Sequence, residues 1–167
     1  MAEILLFVTP QEITEGTILD GNTDTDKYTF CIEDVQDDKI QTLLGTELYD
    51  KIIADIEADT LVGDYLELYK KFVQPITKFE SVAEYISISP YEVRNAGTIK
   101  LTPSGSEVVD SKEVDKLSLK YSAKAQNYIG KFEKWIGLHS IPEYKTSQDE
   151  VDASKNISLN PTWYFRE

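Results

Sequence analysis

The segment Leu43-Leu44-Gly45-Thr46-Glu47-Leu48-Tyr49 separates two amphipathic stretches of this 167-residue chain. On each side of it, apolar side chains mostly recur at the three- and four-residue spacing of an α-helix. Gly45 can adopt the left-handed conformation that ends a helix, and Thr46 can then cap the free amides of the next one. The segment therefore predicts two helices that meet at a tight structural corner, formed by Gly45, Thr46, Leu48 and Tyr49.

Helical periodicity extends along most of the chain. Thr9-Pro10-Gln11-Glu12 has the pattern of a capping box and predicts a brief helix that starts at Pro10. Longer helices are predicted from residue 23 or 24 to 44, and over about 46–58, 64–87 and 112–136. Pro75 lies inside the third of these and predicts a kink or a break, because proline lacks an amide hydrogen and crowds the preceding turn. The predicted fold class is mainly α, with a small four-helix bundle.

Two segments depart from the helical pattern. Between about residues 90 and 111, β-prone runs at 98–102 and 107–109 flank a turn near 103–106, which predicts an inserted hairpin or long loop. After residue 140 the chain is polar until three aromatic residues close to its last position. These predict an extended arm that packs on its own helices or reaches a neighbouring subunit or partner. The predicted organisation is a helical domain at 1–140 and a C-terminal arm at 141–167.

The composition limits the classes of function. The chain has 30 acidic and 17 basic residues, a formal net charge of -13. Passive binding to nucleic acid is not expected, because it depends on Lys and Arg side chains that neutralise phosphates. An acidic protein suits solubility instead, or a passage through which DNA slides without sticking. The apolar run at residues 4–8 is too short to cross a membrane, and we expect a protein made and used in the cytoplasm.

The candidate catalytic and metal-ligating residues are few. His139 is the only histidine and Cys31 the only cysteine, which excludes an ordinary zinc site and a disulfide within the chain. We expect a surface or capping role for His139 and a core position for Cys31. Residues 22–26 faintly resemble a calcium loop, but Lys27 stands where such a loop needs glycine, so helix capping by these aspartates is favoured. No catalytic residue, cofactor or metal is predicted.

The order of these features resembles a known family. The capped Thr9-Pro10, the corner at 44–49, the Tyr-rich third helix, the Arg94-Asn95-Ala96-Gly97 turn and the long fourth helix together resemble the head-tail connector proteins of tailed bacteriophages. These are also called portal adaptors or neck-ring proteins. Within them, the chain looks most similar to the ring proteins of crAss-like phages that infect Bacteroidetes. The resemblance covers about residues 4–140.

The resemblance implies a structural virion protein without enzyme activity. Such proteins form a ring, usually of twelve copies, below the portal vertex, where they extend the DNA channel and join head to tail. The implied partners are other copies of the chain, the portal protein, the next neck or tail ring protein and passing genomic DNA without sequence-specific binding, with no membrane. The implied location is the virion neck, after assembly in the host cytoplasm.

Loops and terminal arms make the contacts between subunits in this family, which implies that the hairpin and the arm do so here. The residues concerned are Ile99, Leu101, Val108, Val109, Ile157, Leu159, Trp163, Tyr164 and Phe165.

Other classes of function stay open. An acidic protein of this size suits a DNA mimic that inhibits a host nucleic-acid enzyme, although lysines are spread along the C-terminal third of the chain. A hydrolase built on dispersed carboxylates needs a cleft that holds two carboxyls of divergent pKa. The candidate carboxylates are Asp37, Asp38, Asp55, Glu57 and Asp59, which we expect to lie on solvated helix faces. An unrelated helical adaptor is the remaining alternative.

Overall fold

The computed structural model of the protein describes residues 5–19, 25–89, 91–94, 97–100 and 111–145, and these residues are mainly α-helical. The helices are α1 (Pro10–Gly16), α2 (Thr25–Val35), α3 (Gln41–Leu44), α4 (Thr46–Glu57), α5 (Gly63–Leu68), α6 (Gln74–Ile88) and α7 (Ser111–Ile136). A first π-helical turn (Gln36–Ile40) joins α2 to α3, and a second (Tyr69–Val73) joins α5 to α6. The mainly α class predicted from the sequence is confirmed.

The helix ends lie close to their predicted positions. α1 begins at Pro10, where the Thr9 hydroxyl accepts a hydrogen bond from the backbone of Glu12 and the Glu12 carboxylate accepts one from the backbone of Thr9. This is the predicted capping box. α7 spans Ser111–Ile136, within one residue of its predicted range.

The corner at Gly45 differs from its prediction in detail. Gly45 has φ 75° and ψ 155°, which lies outside the left-handed helical region but is a conformation that glycine alone adopts readily. Its N–H donates to the Gln41 carbonyl at 2.9 Å, and its own carbonyl accepts from the N–H of Tyr49 at 3.0 Å. The prediction that Thr46 caps α4 is wrong. Gly45 is the single residue between the two helices, so Thr46 is already the first helical residue.

The helix continues through Pro75 without the predicted break. Pro75 is the second residue of α6, which begins directly after the second π-helical turn. Proline cannot donate to the carbonyl one turn earlier, and a wider turn at this point accommodates the missing hydrogen bond. The sequence therefore predicted an irregular helix near Pro75 but not that the irregularity is a π-helical turn.

The core is built around α6, which packs against α2 and α7. Three clusters of buried side chains are found in the described part of the chain. The largest joins the residues before α1 to α4, α5, the second π-helical turn and the C-terminal half of α7. The second joins α1, α2, α6 and the N-terminal half of α7, and the smallest consists of Tyr28, Cys31 and Tyr85.

Two short strands lie between α6 and α7. β1 (Tyr91–Arg94) and β2 (Gly97–Lys100) are antiparallel, and Arg94 pairs with Gly97 across a two-residue connection, a common length in hairpins. The sequence prediction instead paired 98–102 with 107–109. Residues 101–110, including that predicted partner, lie outside the described part of the chain, and β2 is paired with the segment before it.

The first residues of the predicted C-terminal arm belong to the helical body. Ile141 is buried in the largest cluster, and the ring of Tyr144 packs edge-to-face on Phe132 at 5.6 Å. The Tyr65 hydroxyl donates to the Glu143 carboxylate at 2.6 Å, a bond that raises the pKa of Tyr65 to about 12. Residues 146–167 lie outside the described part of the chain. Within that part, no helix is both long and apolar enough to cross a membrane.

Candidate functional site

The backbone of Phe7 is held by side chains from two distant parts of the chain. Its N–H donates to the side-chain oxygen of Gln36 at 2.6 Å, and the amide nitrogen of Gln36 donates to the Leu5 carbonyl at 3.1 Å. On the other side, the Phe7 carbonyl accepts from the Tyr69 hydroxyl at 2.9 Å and from the Gln74 side chain at 3.1 Å. These bonds replace the strand partner that a buried extended segment otherwise needs.

Both π-helical turns contribute to this arrangement, because Gln36 opens the first and Tyr69 opens the second. The ring of Phe7 lies edge-to-face with Tyr49 at 5.4 Å and with Tyr69 at 5.8 Å. Burial raises the pKa of Tyr69, which keeps its hydroxyl protonated as a donor. Sequence reasoning missed this site, since local periodicity carries no sign of contacts between such distant residues. The side chains of Gln36 and Tyr69 therefore hold the N-terminal segment in place.

A surface groove of about 390 Å³ lies where the residues before α1 meet α6 and α7. Its apolar lining consists of Val8, Pro75, Phe79 and Tyr128, and its charged lining consists of Glu12, Glu15, Lys70 and Lys78. The Lys78 ammonium donates to the Glu12 carbonyl. The lining residues include no serine, threonine, cysteine or histidine, and their one hydroxyl is the phenol of Tyr128, so the groove offers an apolar floor with a charged rim.

The exposed face of α7 is rich in lysine, although the chain as a whole is acidic. The lysines are Lys112, Lys116, Lys120, Lys124, Lys131 and Lys134. The Lys124 ammonium lies 4.7 Å from the ring centre of Tyr121 and 5.2 Å from that of Phe79. Leu119 stands among these lysines with 68% of its surface exposed.

The opposite charge is concentrated on α2 and the first π-helical turn. Asp34, Asp37 and Asp38 are exposed there, and Phe30 on the same helix is 59% exposed. Asp37 and Asp38 therefore face solvent, as the sequence predicted. So do Glu57 and Asp59, whereas Asp55 is paired with Lys51 on α4.

His139 and Trp135 form a small cluster at the C-terminal end of α7. Their rings stack at 3.8 Å, and Nδ1 of His139 lies 2.8 Å from the Trp135 carbonyl oxygen, a position that caps the last turn. The Trp135 indole donates to the Glu67 carboxylate at 3.2 Å. A hydrogen bond from Lys71 at 2.7 Å is the main reason why the pKa of Glu67 lies below its usual range. The capping role predicted for His139 agrees with this geometry.

Cys31 is fully buried, as predicted. Burial, together with the nearby charges of Glu84 and Asp34, raises the pKa of its thiol to about 12. The side chain is therefore a neutral core residue at physiological pH. No group of three or more His, Cys, Asp or Glu side chains is placed to hold a metal ion within the described residues.

The residues predicted to make partner contacts fall mostly outside the described part of the chain. Ile99 lies in β2, where its backbone pairs with Glu92. The others are Leu101, Val108, Val109, Ile157, Leu159, Trp163, Tyr164 and Phe165. Of the predicted corner residues, Leu48 and Tyr49 are buried in the core.

The comparisons with known proteins give one result. Neither the curated proteins nor the solved structures contain a match to the chain. Residues 40–154 match the model of DUF6712, described as a family of unknown function. This range is well over half of the chain, and it includes Tyr69 and Gln74 but not Phe7 and Gln36. The chain therefore belongs to the DUF6712 family of unknown function.

Proposed function

We propose that this protein is a structural component of the neck of a tailed-phage virion. Copies of the chain, twelve in the proposed assembly, form a ring below the portal that extends the DNA channel and joins head to tail. In this arrangement the helices form a four-helix bundle with the β1–β2 hairpin as its insertion. The proposed partners are other copies, the portal protein, the next neck or tail ring protein and passing DNA. The proposed location is the virion neck, after assembly in the host cytoplasm.

The observation that carries this proposal is the fixed position at which the C-terminal arm leaves the helical body. The carbonyl of Lys145 lies beside Gly45, 3.7 Å from the position that a β-carbon would occupy, and the Lys145 ammonium pairs with Glu47. Ile141 is held in the core a few residues earlier. The corner and the root of the arm therefore meet, and an arm anchored on a rigid body suits a clasp on a neighbouring molecule.

The chemistry of the described residues also supports a structural role. The thiol of Cys31 is buried and neutral, and the ring of His139 is engaged by Trp135. Among the side chains that line the groove beside α1, none is a serine, threonine, cysteine or histidine. A formal charge of -13 suits a subunit that lets DNA pass without holding it.

The test is to find the protein in particles and then to remove the arm. Mass spectrometry and cryo-electron microscopy of virions made from the genome that encodes this chain should show a ring in register with the portal. A chain lacking residues 157–167 should fold, with the helical content of the full chain by circular dichroism, yet be missing from the neck. Virions that lack the protein altogether would overturn the proposal. Normal incorporation of the shortened chain would overturn the role of the arm.

A second candidate is an acidic DNA mimic that inhibits a host nucleic-acid enzyme. It is favoured by the exposed carboxylates of Asp34, Asp37 and Asp38, which follow one another along a single helical segment. Titration of the purified chain into a nuclease assay separates the two candidates, since a mimic inhibits at low salt and a neck protein does not.

A further inference from the structure

We propose that the basic face of α7 in one copy docks on the acidic face of α2 and the first π-helical turn in the next copy. This inference rests on the proposed ring, because it names the surfaces through which neighbouring subunits meet. The basic face is defined by Lys112, Lys116 and Leu119. The acidic face is defined by Phe30, Asp34, Asp37 and Asp38.

The basic face has the chemistry of a contact surface. Lys112, Lys116 and Leu119 recur at spacings of four and three residues, so they lie on one side of α7. All three are exposed, and Leu119 exposes 68% of its surface. Lys124 on the same helix already lies over two aromatic rings. No comparable contact of Lys112 or Lys116 is found among the described residues.

The acidic face has the same design with the opposite charge. Phe30, Asp34, Asp37 and Asp38 recur at spacings of four, three and one residues, and all are exposed. Phe30 exposes 59% of its surface. Each face therefore carries one large apolar side chain beside two or more like charges. An apolar anchor that is sheltered by a polar rim is the usual form of an energetic centre in protein interfaces. α4 is also acidic, but its large apolar residues are packed against the core, Leu48 and Ile52 fully buried and Ile53 and Ile56 partly buried.

The two faces match when their helices run antiparallel. Leu119 is placed against Phe30. Lys116 then lies three residues before Leu119 on α7, and Asp34 lies four residues after Phe30 on α2. Lys112 lies seven residues before Leu119. It is opposite Asp37 and Asp38, which lie seven and eight residues after Phe30. At about 100° per residue, Lys116 and Asp34 then lie on the same edge of the contact. Asp115 of α7 lies on the other edge, away from Asp34.

A contact of this kind repeats from copy to copy. α2 and α7 both pack against α6, and each keeps its own exposed face, so one copy carries two different charged faces. A contact between two different faces is heterologous and generates a closed ring when the rotation between copies permits. Opposite charges on the two faces also disfavour contacts of like with like.

Charge reversal tests this contact in the full chain. One variant carries Lys112→Glu and Lys116→Glu, and a second carries Asp34→Lys and Asp37→Lys. A control carries Lys131→Glu and Lys134→Glu on the same helix, beyond the stretch that faces α2 in the proposed register. Self-association is followed by sedimentation velocity at rising protein concentration and low salt, and circular dichroism checks that each variant is folded.

We expect the wild-type chain and the control to self-associate, and each reversed variant alone to dissociate with a constant at least about tenfold higher. An equimolar mixture of the two reversed variants should associate again, because each reversed face then meets a face of opposite charge. A wild-type chain that stays monomeric at every concentration, reversed variants that associate like the wild type, or a mixture that fails to associate would each overturn the inference. A neck ring that assembles normally from either reversed variant alone would overturn the contact and leave the proposed function standing. If the chain associates through this contact but is missing from virions, the contact stands and the proposed function is overturned.

Discussion

Gln36 accepts a hydrogen bond of 2.6 Å from the backbone N–H of Phe7, which precedes it by 29 residues. Both residues are buried, with 1% of their surface exposed. A buried amide that loses its acceptor keeps the full free-energy penalty of its desolvation. Phe7, which precedes α1, is therefore part of the folded core.

Replacing Gln36 should destabilise the protein through that amide. The Gln36→Leu variant has a side chain of similar size but leaves the N–H of Phe7 without its acceptor. We therefore expect a loss of about 1–3 kcal/mol in the free energy of unfolding. Gln11→Leu is the control, because Gln11 makes only an exposed bond to Glu15 and its loss should change stability by less than about 0.5 kcal/mol. Urea unfolding measures both, and equal values for the two variants would contradict the role assigned to Gln36.

Two glycines should respond in opposite directions to alanine. Gly45 has φ 75° and ψ 155°, so Gly45→Ala should lower the free energy of unfolding by about 1–3 kcal/mol through backbone strain. Gly130 lies within α7, and a β-carbon there meets no atom within 4 Å. Gly130→Ala should therefore raise the free energy of unfolding by about 0.5–1 kcal/mol through helix propensity. Thermal unfolding of the two variants gives the comparison, and a stabilised Gly45→Ala chain would show that the corner is relaxed.

The ion pair between Lys39 and Glu80 should matter more than an exposed pair. The Glu80 side chain is only 7% exposed, and Lys39 lies 2.6 Å from it, with a further hydrogen bond from Ser122 at 3.3 Å. Lys39→Met leaves that carboxylate buried beside Ser122 alone, and we expect a loss of about 1–3 kcal/mol. Water reaches the half-exposed Lys39, which keeps the loss below that of a fully buried pair.

The control for this pair is Lys71→Met, since the bond between Lys71 and Glu67 is open to solvent and should contribute little to stability. Adding Glu80→Gln to the Lys39→Met chain should recover stability, because it removes the unpaired charge and keeps a partner for Ser122. Chemical denaturation of the single and double variants measures this. A double variant that is less stable than Lys39→Met would mean that the charge of Glu80 was not the cause.

The thiol of Cys31 should be almost unreactive in the folded chain. Its pKa of about 12 leaves very little thiolate at neutral pH. Reaction with a disulfide reagent at pH 7.5 should be at least roughly a hundredfold slower than in urea-unfolded chain. Similar rates in the two states would mean that Cys31 is accessible.

The same raised pKa predicts a loss of stability at alkaline pH. In the unfolded chain the thiol loses its proton at about pH 8.5. Below that pH the protonated Cys31 thiol makes its full contribution to the free energy of unfolding. This contribution falls as the pH rises towards the folded value of about 12, because the unfolded chain then binds fewer protons than the folded one. Cys31→Ala should therefore show a shallower decline of unfolding free energy between about pH 8.5 and 12. If the free energy of unfolding declines equally in the wild type and in Cys31→Ala, the loss of stability comes from other groups, such as the buried tyrosines.

The sequence predicts those features of the fold that depend on neighbouring residues. The capping box at Thr9 and Glu12, the turn at Gly45 and the long stripe of α7 all arise from interactions within a few positions, and the structure contains each of them. The π-helical turns were not predicted, because a turn with one extra residue still alternates apolar and polar side chains at mixed spacings.

The candidate surfaces depend on residues that are distant in sequence. The partners of Phe7 and the groove beside α1 come from segments separated by dozens of residues, so periodicity along any one helix does not reveal them. The two charged faces are different, since each repeats along a single helix. The net charge of -13 does not reveal them, because it gives only the sum of all charges and not the basic face on one helix.

The bonds of Phe7 also set an order of events during synthesis. Residues 5–8 are made early, but their partner at Gln36 follows 29 positions later and the one at Tyr69 62 positions later. The ring of Phe132, in the same buried cluster, is made later still. Phe7 must therefore wait for these partners, because a ribosome extends a chain from its N-terminus towards its C-terminus. Folding of the largest cluster, which includes both Phe7 and Phe132, is therefore completed only after α7 has emerged.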